Sequence, residues 1–106
     1  RYGHAYVPMD DALARAVIDL SGRSYCHLNA TFGREQVGDL STELVEHVWR
    51  SVAEHARCNL HLTVLDGHNA HHEIEALFKA AARALRVAVR RHADHAEVAS
   101  TKGTLS

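Results

Sequence analysis

A chain of 106 residues with 46% hydrophobic content is long enough for one compact domain with a modest core, and one domain spanning 1–106 is the default reading. Twelve Lys and Arg against thirteen Asp and Glu leave a formal net charge of -1, which excludes a global field for nucleic acid or an anionic membrane. Any phosphate must therefore be met by a local cluster. No apolar run approaches a membrane span and no leader pattern opens the chain, while Cys26 and Cys58 lack CxxC spacing. Free or buried thiols in a reducing, cytoplasmic compartment are the expectation.

In chain order, Tyr2, Ala5, Tyr6 and Val7 precede the single proline, Pro8, and suit a short strand that ends where proline removes a ladder donor. Residues 11–20 read as a helix by propensity, yet Leu13, Ala16, Ile18 and Leu20 form no clean stripe. The Ser21-Gly22-Arg23-Ser24 turn leads into residues 25–32, whose aromatic and β-branched content favours a strand. A hairpin of two strands explains both stretches best. Ser41-Thr42-Glu43 is a helix start, with a hydroxyl cap and an acidic first turn, and Leu44, Val45, Val48, Trp49, Val52 and Ala53 follow at helical spacing. Residues 59–65 alternate as a strand until Asp66-Gly67 breaks them. A second helix begins near Asn69 or Ala70 and runs through Phe78, Ala81, Ala82, Leu85 and Val89 to about Arg90. From His92 the pattern fades into a polar loop. Strand, strand, strand, helix, strand, helix predicts an α+β layer, with two helices on one face of a four-stranded sheet in the order βββαβα.

The chemistry concentrates in residues 69–79, Asn-Ala-His-His-Glu-Ile-Glu-Ala-Leu-Phe-Lys. On a helix, residues three and four apart share a face and immediate neighbours diverge by roughly 100°. His71 and Glu75 can therefore converge, as can His72 and Glu75, whereas His71 and His72 point apart. Two adjacent imidazoles arranged this way are suited to two ions, each completed from elsewhere. By itself an HHxxE string in a chain with ten histidines is more often a solvated helix face. Ala70, Ile74, Leu77, Phe78 and Ala81 place an apolar stripe beside the cluster and strengthen the ligand reading. Imidazole and carboxylate donors of this kind suit zinc, manganese, iron or nickel.

Residues 67–79 and the Ala82-Arg83-Ala84-Leu85-Arg86 that follows closely resemble imidazoleglycerol-phosphate dehydratases. So do residues 1–10, Asp19-Leu20-Ser21-Gly22-Arg23, Thr42-Glu43-Leu44-Val45-Glu46-His47, Leu60-His61-Leu62 and Ser100-Thr101-Lys102-Gly103, all in the family's order. Proteins of that family are internal duplications of two similar halves, and this chain resembles the second half only. The resemblance implies a half-domain of the ribosomal protein S5 domain 2-like fold. It implies manganese(II) held by His47, His71, His72 and Glu75, with each ion completed by another half or subunit. It implies that Arg1 and Arg23 grip a substrate phosphate, a task for which the planar guanidinium is suited. The resemblance further implies that Lys79, Lys102, Ser100 and Thr101 add charge and hydroxyl donors, and that His71, His72 and Glu75 also face the substrate. The remaining histidines have no matched ligand role.

The implied reaction is loss of water from imidazole glycerol phosphate to give imidazole acetol phosphate in L-histidine biosynthesis, with metal ions as Lewis acids and template. It would pass through an imidazolate and a diazafulvene-like intermediate. Glu75 stands at the centre as the candidate catalytic carboxylate, although it is needed as a ligand; the family's usual base lies in the other half. A lone half exposes the surface that meets its twin, so pairing with another copy or with the N-terminal half is expected, and the resemblance implies a large octahedral assembly. The rival reading is a non-catalytic, metal-binding, self-assembling half-domain without a complete active site, and a metal-dependent hydrolase is a weaker third.

Overall fold

The computed structural model describes residues 1–33, 36–37 and 40–94. Four strands form one mixed sheet: β1 (Tyr2–Met9), β2 (Ala12–Asp19), β3 (Tyr25–Asn29) and β6 (Asn59–Asp66), in the spatial order β1-β2-β6-β3. A two-stranded hairpin, β4 (Gln36–Val37) and β5 (Leu40–Ser41), precedes helix α1 (Thr42–Ala56), and helix α2 (Ala70–Asp94) follows β6. The βββαβα order holds for the main sheet. The small hairpin is an addition that the sequence reading did not contain.

The hairpin lies earlier than expected. β1 and β2 pair antiparallel across the two-residue loop Asp10-Asp11, with Met9 opposite Ala12. β2 and β3, read as hairpin partners, are separated by β6, which runs antiparallel to β2 and parallel to β3. α1 is the crossover that parallel neighbours require. Pro8 does not end β1; it remains paired opposite Leu13, because β1 is an edge strand and a missing donor there leaves no partner unmet. α2 also runs further than about residue 90, to Asp94.

Residues 11–20 resolve their ambiguity by strict alternation. Ala12, Ala14, Ala16 and Ile18 are buried on the side that α2 covers, and Leu13, Arg15, Val17 and Asp19 look the other way. α2 covers β1 and β2 with Ala76, Leu77, Ala80, Ala84 and Ala88, each fully buried. Small side chains on both surfaces let the helix lie close to the sheet. A Cβ on Gly3 would meet the Ala84 carbonyl oxygen and the Ala88 nitrogen 2.7 Å away, so only glycine fits there. α1 turns Val45, Trp49 and Ala53 inward, and the Trp49 ring lies 4.6 Å from that of Phe78. Leu44, Val48 and Val52, part of the same expected stripe, are exposed, as is much of Phe78. No described helix is long and apolar enough to cross a membrane.

Candidate metal and substrate site

The start of α2 is held by the β1–β2 loop. Asp10 takes the left-handed conformation (φ 49°), which aspartate tolerates better than most residues. The turn delivers Asp11 to the residues just before α2, where its Oδ2 accepts the backbone N–H groups of His68 and, at 3.0 Å, Asn69. Its Oδ1 lies 2.6 Å from His72 Nδ1. The His68 N–H first, then the His72 ring, hold the Asp11 carboxyl far below its ordinary range, and the same contact raises His72. Asn69 Oδ1 accepts from His72 N at 3.2 Å and closes the cap. Neither Asp10 nor Asp11 was singled out from the sequence. The signal was a bare Asp-Asp between two strands, with nothing to connect it to residues about 60 positions later.

The two imidazoles diverge as helical geometry requires, their rings 6.2 Å apart and 79° inclined. His71 Nε2 approaches Glu75 Oε1 at 3.2 Å, and Lys79 Nζ approaches Glu75 Oε2 at 3.1 Å. Lys79 first, with His71 adding to it, keeps the Glu75 carboxyl below its ordinary range, so it is an anion at neutral pH. His72 turns toward Asp11 instead, with Asp10 Oδ2 3.5 Å from its Nε2. Glu73, next to His72 in sequence, faces inward and is buried, its side chain folded over Gly67. Burial, and then the Asp11 charge, raise its carboxyl.

The remaining predicted residues lie elsewhere. His47 lines a groove with Ser24, Tyr25, Cys26, Arg50 and Ser51, beside the start of β3. Arg1 opens β1 with its Nε 3.6 Å from Asp19, and the Arg23 carbonyl accepts from Asn59 Nδ2 at 2.7 Å at the start of β6. Both arginines thus occupy the end of the sheet opposite Asp11 and His72, a strand length of roughly 23 Å for seven residue steps. Ser100, Thr101 and Lys102 fall outside the described residues. Among the described residues, no three His, Cys, Asp or Glu side chains gather as a metal site, so His47 does not join His71, His72 and Glu75 within one chain.

The donors nonetheless fit a divalent ion in type. His72 has its Nδ1 on a carboxylate, the arrangement that leaves Nε2 for a metal, and His71 with ionised Glu75 forms a nitrogen–oxygen pair one turn apart. What the chain offers is two partial donor sets.

The family model described as imidazoleglycerol-phosphate dehydratase matches residues 1–85. The chain is 89% identical over all 106 residues to the imidazoleglycerol-phosphate dehydratase of Salinibacter ruber, covering 52% of that protein. It is 56% identical over 105 residues to that of Chloroherpeton thalassium, covering 53% of it. The crystal structure of imidazoleglycerol-phosphate dehydratase from Staphylococcus aureus superposes with a TM-score of 0.81 at 52% identity, over 83% of this chain and 52% of that one. The structure of the Pyrococcus furiosus protein in complex with (S)-C348 gives a TM-score of 0.73 at 39% identity, over 82% and 49%. The chain spans about half the length of the curated relatives it matches. With its half-domain fold and its histidine-rich helix start, the chain belongs to the imidazoleglycerol-phosphate dehydratase family.

Proposed function

We propose that this chain is the C-terminal half of a dehydratase that removes water from imidazole glycerol phosphate, giving imidazole acetol phosphate in L-histidine biosynthesis, and that its site is shared with another half or copy. The observation that carries the shared site is the separation of its parts. His71, His72 and Glu75 stand at one end of the sheet and Arg1 and Arg23 at the other, too far apart for one small phosphorylated substrate to touch both. A pocket therefore needs the metal end of one unit beside the phosphate end of a second.

The surface for that meeting lies on the helices. Phe78, Leu85 and Val89 are exposed, and with His71 and Glu75 they recur at i, i+4, i+7, i+14 and i+18, one face of α2. A partner covering the apolar stripe would also reach the His71–Glu75 pair. Leu44, Val48 and Val52 extend the apolar surface on α1. The assembly proposed is a large octahedral one, with Mn2+ at the shared sites. Manganese would supply Lewis acidity toward the substrate imidazole. Within this chain, Lys79 and His71 keep Glu75 anionic, Asp11 holds His72, and the guanidinium groups of Arg1 and Arg23 take phosphate oxygens. The free thiols Cys26 and Cys58 suit a reducing cytoplasm.

The test is turnover of imidazole glycerol phosphate with Mn2+ by the 106-residue chain, alone and mixed with the N-terminal half. Activity only in the mixture is the expected result. A mixture that assembles and binds Mn2+ without turnover would favour the second reading, a non-catalytic metal-binding half-domain. The dispersal of the donors within one chain is what keeps that reading in view.

A further inference from the structure

We propose that Asp11 is a positioning residue that sets the tautomer of His72, holding the proton on Nδ1 and presenting the Nε2 lone pair outward. The inference rests on the ligand role proposed for His72 and assigns a task to a residue outside the ligand set. The carboxylate is fully committed. Oδ2 receives two backbone donors, from His68 and Asn69, so it is anchored to the start of α2, and Oδ1 is left facing His72 Nδ1 at 2.6 Å. An ionised carboxylate has no proton to offer, so the hydrogen between the two atoms belongs to Nδ1. The neutral ring then has its lone pair on Nε2. Asp10 lies 3.5 Å from that nitrogen, beyond hydrogen-bond reach, and does not claim it. The same side chain thus caps the helix and orients the imidazole that the helix carries, which couples the ring's tautomer to the β1–β2 loop.

The geometry makes Asp11→Asn a sharp probe. Asparagine has a single carbonyl oxygen, and the two backbone donors take it, since the opposite orientation would point its amide hydrogens at two N–H groups. Its NH2 then faces Nδ1, which must accept, and the proton moves to Nε2. The cap survives while the tautomer reverses. The experiment is nitrogen-15 NMR of the metal-free, histidine-labelled 106-residue chain, at a pH where the ring shifts no longer change, with His72 assigned by its loss in His72→Gln. Expected is Nδ1–H in the parent and Nε2–H in Asp11→Asn, with Mn2+ affinity falling about 10- to 100-fold. Nε2–H in the parent, or an unchanged tautomer in a folded Asp11→Asn chain, overturns the inference. A reversed tautomer with Mn2+ affinity unchanged in the mixture with the N-terminal half upholds Asp11 in its task and removes His72 from the metal set.

Discussion

Glu73 and Asp11 are carboxyls at the same helix start, yet their surroundings push them in opposite directions. Asp11, on two backbone N–H groups and the His72 ring, is stabilised as an anion, so in the metal-free chain its contribution is present above the ordinary carboxylate range and fades in acid. Glu73, buried over Gly67, has a raised carboxyl. Its contribution is complete below the ordinary carboxylate range and is lost as pH rises through the raised value. Glu73→Gln is therefore expected to be more stable than the parent at pH 7 and no more stable at about pH 4, as urea denaturation at the two pH values would measure. At the proposed ligands, protons would compete with metal. Mn2+ binding should weaken as pH falls through the imidazole range, and His72→Ala should weaken it about tenfold or more at neutral pH, both read by titration with Mn2+. An affinity flat down to about pH 5 would remove the imidazoles from the site.

At the level of elements, α1 begins where its sequence says it should. Ser41 Oγ accepts from Glu43 N at 3.3 Å, and Ser41→Ala is expected to lower stability by about 1 kcal/mol in thermal unfolding. A cap is legible because donor and acceptor are two residues apart. The contact of α2 with β1 is different in kind. Gly3 looks like an ordinary strand glycine, but a Cβ there would collide with helix backbone, which cannot swing aside as a side chain can. Gly3→Ala is expected to cost about 1–3 kcal/mol, with the loss visible as a lowered Tm. The hairpin misassignment has the same origin. Residues 12–19 and 25–29 are both strands, the first against its helical propensity, but which strand lies beside which depends on β6, about 30 residues further along.

For the whole molecule, the decisive features are the opposed ends of the sheet and the apolar outer surface of the helices. Leu44, Val48, Val52, Phe78, Leu85 and Val89 remain between 41% and 52% exposed, more large apolar area than a helix layer facing only water needs. Val48→Asp should leave circular dichroism unchanged, since Val48 is not in the buried core, while abolishing association with a second copy or the N-terminal half. Light scattering coupled to size-exclusion chromatography reads that outcome directly, and an unchanged mass would place the interface elsewhere.

The amino-acid sequence alone determined the order of the main elements, the four-stranded α+β layer and the helix that carries His71, His72 and Glu75, because periodicity, caps and motif spacing are written within a few residues of one another. The tertiary structure decided what those residues face. It brought Asp11 across 61 positions to His72, set β6 between β2 and β3, and placed Arg1 and Arg23 a sheet's length from His71 and His72. It also left His47 in a separate groove. Such neighbours are chosen by packing and strand pairing between distant stretches, for which a local pattern of residues carries no record.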